Sequence, residues 1–245
     1  MRRLAAVTVV VLISVGLTAK AAEIKVFTAR AGATVLEKIG PEFERTTGHK
    51  LDVVSGFGPA FVRRINDGER FDIVIAGPPV IDGLIKNGKV KADTRTNLMR
   101  SGIGVEAQAG APKPDVTSVE SFKRALLSAQ SIGYLKTVNR VEGLLERLGL
   151  ADAVKSKITT PDSDIVSELV AEGKIELGIV VITQTLTTPG VEFVGPLPQD
   201  IQYHIQFVAG ISASSKAPDA ARELIKYFTG PTAAPVLKSQ GLEPG

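Results

Sequence analysis

The chain has 245 residues with 29 basic, 26 acidic and two histidine side chains, no cysteine and no tryptophan, and 44% of it is hydrophobic. Without cysteine there is no disulfide, no thiolate metal site and no cysteine nucleophile. The two histidines, His49 and His204, lie too far apart in sequence to favour a histidine zinc site or a Ser-His-Asp triad.

The first segment is Met1-Arg2-Arg3 followed by an apolar run from Leu4 to Leu17, interrupted only by Thr8, Ser14 and Gly16. Ala19-Lys20-Ala21 then places small residues at signal-peptidase spacing. This three-part pattern predicts a cleavable secretory signal over residues 1–21. The run is shorter than the about 20 residues a spanning helix needs, although an N-terminal membrane anchor is the alternative reading. No cysteine follows the small residues, which excludes a lipid-anchored product. Arg2, Arg3 and Lys20 leave with the leader, so the mature chain holds 26 basic and 26 acidic residues. That neutral balance gives no electrostatic case for nucleic acid or for an anionic membrane surface. The remaining length suits one large domain or two modest ones.

Ile24–Thr28 reads as a strand, and Val35, Leu36, Ile39 and Phe43 recur at helical spacing until Gly48. Leu51–Val54 is the next strand, Gly56–Pro59 a turn, and Phe61, Val62 and Ile65 mark a second helix. Phe71–Ala76 is an unbroken run of β-formers, as in a parallel strand buried on both faces. Gly77-Pro78-Pro79 ends it, and Val80, Leu84 and Ile85 belong to a third helix. Strand and helix thus alternate three times by residue 90, which implies right-handed crossovers and a parallel sheet. The cadence returns beyond the turn-rich stretch Gly110–Pro114: a helix around Val119–Leu127, a strand at Ser131–Leu135, and helical stripes at Val138–Leu148 and Ile165–Val170. Strands follow at Leu177–Ile182, Val191–Val194 and Tyr203–Ile211, then a helix over Ala217–Phe228. The pattern predicts an α/β protein of two lobes, 22–102 with 204–245 and 103–203. Two chain crossings would form a hinge at Ile103-Gly104-Val105 and Tyr203-His204-Ile205.

Several segments resemble periplasmic molybdate-binding proteins, the substrate-binding components of ABC importers. Phe27-Thr28-Ala29-Arg30-Ala31 is similar to their first strand–helix junction, and Phe43–Leu51 to their F-x-x-x-T-G-x-x-V step. Ile65–Ile75 resembles their I-x-x-G-x-x-x-D-hydrophobic run, Leu177–Val180 their G-I-V strand, and Phe228–Pro235 their usual ending. The resemblance covers nearly the whole mature chain. It implies a two-lobed type II periplasmic binding fold, each lobe a mainly parallel sheet flanked by helices and joined by a two-strand hinge. It also implies a periplasmic, non-enzymatic protein that captures a small anion, an oxyanion or small carboxylate, by hinge closure and delivers it to an inner-membrane permease. The pocket departs from the family's pattern. Ala31 stands where the family has a hydroxyl residue, Gly56–Ala60 is shortened, Tyr134–Arg140 is short and basic, and Val181 replaces a tyrosine. The resemblance therefore implies a kept fold with a changed specificity.

In open α/β sheets ligands lie beyond the carboxyl ends of the strands, where helix N-termini favour anions. The junctions Ala29–Gly32, Gly56–Pro59 and Ala76–Pro78 occupy such ends, with Lys136–Asn139 and Thr183-Gln184 facing them. Arg30 is the sharpest candidate, because a guanidinium grips a carboxylate with two hydrogen bonds; the alternative is solvent or an ion pair with Glu37. Gly56 and Gly58 are candidates for backbone approach to a ligand, with tight turns as their other role, and Ala31 and Gly32 are candidates as part of the first strand–helix junction. Asn139 is a lip residue or a helix cap, and Thr183 and Gln184 line the cleft or a turn. Lys136 and Arg140 read as a solvated helix start, either able to complete the anion site. Tyr203 reads as a hinge or core residue, His49 as a surface residue and His204 as a satisfied structural histidine. Asp162, Asp164 and Glu168 read as a capped first turn followed by a wet face. No metal site or cofactor is expected, and a monomer suits a receptor that opens and shuts. A sensor or chemoreceptor partner on the same fold is the second reading. An exported enzyme is the third, since no nucleophile–base pair is visible in the sequence.

Overall fold

The structure, a computed structural model, describes residues 21–56, 58–136, 140–161 and 165–245. Of the expected leader only Ala21 is among them, and Asn139, Asp162 and Asp164 lie outside them. A first α/β unit alternates β1 (Glu23–Thr28), α1 (Arg30–Thr47), β2 (Lys50–Ser55), α2 (Gly58–Asn66), β3 (Ile73–Ala76) and α3 (Pro78–Lys86). The long strand β4 (Thr96–Gln108) leads into the second unit. There follow α4 (Val119–Ser128), β5 (Ile132–Gly133), α5 (Val141–Arg147), α6 (Ala151–Val154) and β6 (Ile158–Thr159). The unit is completed by α7 (Val166–Ala171), β7 (Leu177–Val181), α8 (Ile182–Thr187) and β8 (Val191–Pro196). The chain returns along β9 (His204–Ile211) to α9 (Pro218–Phe228), α10 (Ala234–Ser239) and β10 (Glu243–Pro244), which packs against the first unit.

The buried strand β3 explains its own composition. Ile73 and Ile75 enter a core with Val35, Leu36 and Phe43 of α1 and Leu224 and Phe228 of α9. Val74 and Ala76 point the other way, into a core with Phe61 and Ile65 of α2 and Ile81 and Leu84 of α3. A strand covered by helices on both faces has no polar side to show. The second unit repeats the logic. Leu177, Ile179 and Val181 of β7 meet Phe122 of α4 and Leu144 and Leu145 of α5, while Val180 meets Val166 and Val170 of α7.

β1 pairs in parallel with β2 and β3, and β5 in parallel with β6 and β7. Antiparallel pairs come from the crossing strands. The first half of β4, through Gly102, pairs with β9, and β9 also borders β3. From Ile103 onward β4 pairs with β7, and from Gly104 with β8. Hydrogen bonding therefore runs in one order, β2-β1-β3-β9-β4-β7-β5-β6. The partners of β4 change between Gly102 and Ile103, and a cavity separates the two units on one side of this crossing. Gln202 braces the crossing: its Oε1 accepts from Ile103 N and its Nε2 donates to Ile103 O, each at 2.9 Å.

Helix ends follow local rules. Gly48 closes α1 in the left-handed region at φ 76° and donates to Glu44 O, a conformation that costs glycine little. Pro78 and Pro79 open α3 rather than merely ending β3, because the first helical position needs no N–H. His49 corrects the surface reading. It is 2% exposed, its Nδ1 accepts from Ala22 N at 3.1 Å, and its Nε2 lies 3.3 Å from Glu223 Oε2. Its neighbours come from the strand edge and α9, which are distant in sequence.

Candidate ligand-binding site

The cavity between the units has a volume of about 500 Å³, within the range of small-molecule sites. Helix N-termini converge on it. Ala29, Arg30 and Ala31 come from the start of α1, Gly58 and Pro59 from α2, and Gly77–Val80 from α3. Arg140 stands at the start of α5, and Val181, Thr183 and Gln184 at the start of α8. All follow the carboxyl ends of strands, as the α/β rule requires. The caps of α1, α3 and α8 are Ala29, Gly77 and Val181, none with a side-chain cap bond, so these positive dipole ends carry no carboxylate cap of their own. The back wall is β9, through His204, Ile205, Gln206 and Phe207.

Of the residues expected from the sequence, Arg30, Ala31, Gly58, Thr183 and Gln184 line this cavity. Gly32 and Gly56 do not line it. Gly32 is buried in the first turn of α1, and a Cβ there would collide with Thr28 Oγ1. It serves close packing of helix on strand. Gly56 N donates to Thr28 O at 3.0 Å, extending the β1–β2 ladder past its last strand residue. Asn139 is outside the described residues. Lys136 is exposed, 3.5 Å from Glu142, and off the cavity wall. Tyr203 is also off the wall; burial pushes its phenol well above the usual range, and its hydroxyl has no partner among the described residues.

Among the described residues, the wall carries basic and not acidic side chains. Arg30, Arg140 and His204 line it, and no aspartate or glutamate does among the described residues. His204 corrects the expectation of a structural histidine: it is exposed at the start of β9, 3.7 Å from Glu243 Oε1. Arg140 is the only non-glycine with positive φ among the described residues, at 48°. Such a conformation costs about 1–3 kcal/mol and persists where surroundings demand it. Thr183 Oγ1, Gln184 Nε2 and Gln206 Oε1 are buried and have no partner among the described residues. Leaving a buried polar atom unpaired costs about 1–3 kcal/mol each, so the wall presents groups that a polar ligand would satisfy.

Arg30 does not pair with Glu37. Its Nη2 donates to Glu168 Oε1 at 2.6 Å and its Nη1 to Thr188 Oγ1 at 3.5 Å, so it reaches from α1 to the second unit. Glu168, read in the sequence as part of a wet helical face, is thus an ion-pair partner. His204, Gln206 and Glu168 were missed as site residues. The polar alternation of His204 and Gln206 along an otherwise apolar strand was a usable signal; Glu168 offered none. Among the described residues no cluster of His, Cys, Asp and Glu suited to a metal ion occurs, and no helix is long and apolar enough to cross a membrane.

Comparison with known proteins adds four findings. A family model described as bacterial extracellular solute-binding protein matches residues 24–243. An aconitate isomerase of a Pseudomonas species is 30% identical over 217 residues, 85% of this chain and 83% of that protein. The molybdate-binding protein of Azotobacter vinelandii is 30% identical over 234 residues, 91% of this chain and 90% of that one. A solved periplasmic molybdate-binding protein of Azotobacter vinelandii superposes with a TM-score of 0.73 at 21% identity, covering 91% of this chain and 99% of that one.

Proposed function

This chain belongs to the bacterial extracellular solute-binding protein family, and from that premise we propose that it captures a small organic carboxylate outside the inner membrane for an ABC permease. Its fold is the two-lobed type II periplasmic binding fold. The lobes are 22–102 with 204–245 and 103–203, and they close about the crossings at Gly102–Ile103 and Gln202–His204. Hinge closure around a ligand needs no catalytic group.

One observation carries the choice of ligand: Arg30, Arg140 and His204 stand on the wall of a cavity on which no described residue places a carboxylate. An anion held between helix N-termini and two guanidiniums is favoured by both dipole and charge. The volume exceeds what one tetrahedral oxyanion needs, and the Pro59, Pro78, Leu135, Ile205 and Phe207 side chains offer apolar contact to a carbon skeleton. Those features favour a di- or tricarboxylate over molybdate. In this reading Arg30 and Arg140 take carboxylates from opposite lobes, while Thr183, Gln184 and Gln206 complete the hydrogen bonds. Ala31 and Gly58 allow close backbone approach.

The test is a thermal-shift screen of molybdate, sulfate, succinate, citrate and cis-aconitate on the purified protein. A true ligand at 100 times its dissociation constant adds about 2.7 kcal/mol of stability. Arg30→Ala should then weaken binding roughly ten- to hundredfold, the loss of one or two charge-assisted hydrogen bonds. A protein shifted only by molybdate or sulfate refutes the carboxylate assignment, and one shifted only by neutral sugars refutes the anion site altogether.

A second reading rests on His204. The relative named aconitate isomerase acts, by its name, on aconitate, and an isomerisation through an allylic carbanion would need a base to take and return one proton. His204 is the only imidazole on the cavity wall among the described residues. If this chain shares that activity, cis-aconitate incubated with the protein yields the trans isomer by NMR, and His204→Ala lowers kcat far more than it raises KM.

A further inference from the structure

We propose that Glu168 is a built-in competitor for the solute: its carboxylate occupies the Arg30 guanidinium in the ligand-free protein and yields it to an anionic group of the ligand. The proposal rests on the anion-binding reading above and goes further, by naming the residue that sets how strongly charged a ligand must be. Arg30 belongs to the first unit and lines the cavity, whereas Glu168 belongs to α7 in the second unit and does not. Among ion pairs between described residues, theirs is the only one that joins the two units. Every other pair between described residues stays within its own unit, so among them this contact alone couples charge to lobe position.

The pair is built to be broken. Only Oε1 of Glu168 is engaged, while Oε2 is buried and has no partner among the described residues. A carboxylate satisfied on one oxygen is a poorer partner than a ligand that takes the guanidinium with both. The two side chains are 38% and 37% exposed, a setting in which an ion pair contributes modestly and yields to competitors. α7 itself is firmly held, with Val166 and Val170 buried against Ile175 and Val180. Glu168 therefore moves with the second lobe, and losing Arg30 to a ligand releases that lobe from its resting contact. Neutral solutes cannot displace the carboxylate, so the pair also rejects them.

The two possible roles of Glu168 predict opposite signs. A competitor lowers apparent affinity by the fraction of protein it occupies; a clasp that persists in the loaded protein raises it. The chain has no cysteine, so Lys38→Cys on α1 and Glu146→Cys on α5 give one unique pair of spin-label sites, both exposed. In the ligand-free protein Glu168→Gln should shift the interlabel distances outward, and Glu168→Ala should set the upper limit of that shift. Citrate, used as the probe, should bind Glu168→Gln roughly two- to fivefold more tightly, the scale of a half-exposed ion pair. Unchanged ligand-free distances in both variants overturn the proposal, and so does weaker or unaltered citrate binding by Glu168→Gln. If citrate binds neither parent nor variant, the solute assignment fails, and the ligand-free distances alone decide whether Glu168 holds Arg30.

Discussion

Individual side chains carry the tests closest to chemistry. Gly32 and Thr28 share one space at the base of α1, so Gly32→Ala forces Thr28 Oγ1 aside. Overpacking of that kind costs about 1–3 kcal/mol. Urea denaturation should show a lower midpoint at unchanged slope, and Thr28→Ala in the same chain should return part of the loss, the signature of a shared contact. Glu69 offers a pH test. It takes Nε and Nη2 of Arg64 at 2.5 and 2.6 Å and lies 3.1 Å from Lys25 Nζ. Those hydrogen bonds, Arg64 first, hold its carboxyl at about 2 against an ordinary 4.5. A carboxyl depressed in the folded state adds stability above its unfolded pKa and loses it as pH falls through the folded value. The Glu69 contribution should thus be complete above pH 4.5 and fade towards pH 2. Unfolding free energies measured across that window should fall less steeply for Glu69→Gln than for the parent.

Helices and strands obey rules that single positions only modulate. α1 contains Pro41, which removes one backbone donor from its interior. The helix forms regardless, because Val35, Leu36, Ile39 and Phe43 are buried on one stripe against the sheet, and burial outweighs local propensity. α4 has the opposite arrangement. Its start is secured locally, with Ser118 Oγ accepting from Ser121 N at 3.1 Å and Ser121 Oγ from Ser118 N at 3.0 Å. Ser118→Ala should cost about 1 kcal/mol, seen as a lower melting temperature with ligand affinity intact, since α4 is remote from the cavity wall. β4 shows where sequence rules stop. Its Asn97–Met99 and Val105–Glu106 steps break register, and residues 101–107 are buried at every position, on both faces. No single alternation marks such a strand, so the sequence points to a chain crossing near Ile103 without the strand around it.

At the scale of the whole molecule, the two units are joined where the chain crosses twice. Gln202 imitates a strand neighbour by pairing with both backbone groups of Ile103. Gln202→Ala removes both bonds, worth about 1 kcal/mol each, at the point where β4 changes partners. Hydrogen exchange at the Ile103 amide should accelerate by roughly tenfold or more, with amides in the cores of the two units unaffected. Equal protection of Ile103 in parent and variant would show that the crossing is held by its strands alone.

The three strand–helix repeats of the first unit, the return of the α/β cadence beyond residue 110, and Arg30, Ala31, Gly58, Thr183 and Gln184 as neighbours of a cleft were legible in the sequence, whereas β4, α8 and β10 were not. The legible features follow from short-range periods and from the rule that sites form where strands give way to helices. Only the tertiary structure decided that His49 is buried, that Gly32 serves packing, that His204 and Gln206 line the wall, and that Arg30 pairs with Glu168 across 138 residues of chain. Periodicity reports which face of an element is buried. It carries no record of which distant element covers that face, and the partner of a charge is settled only when two lobes meet.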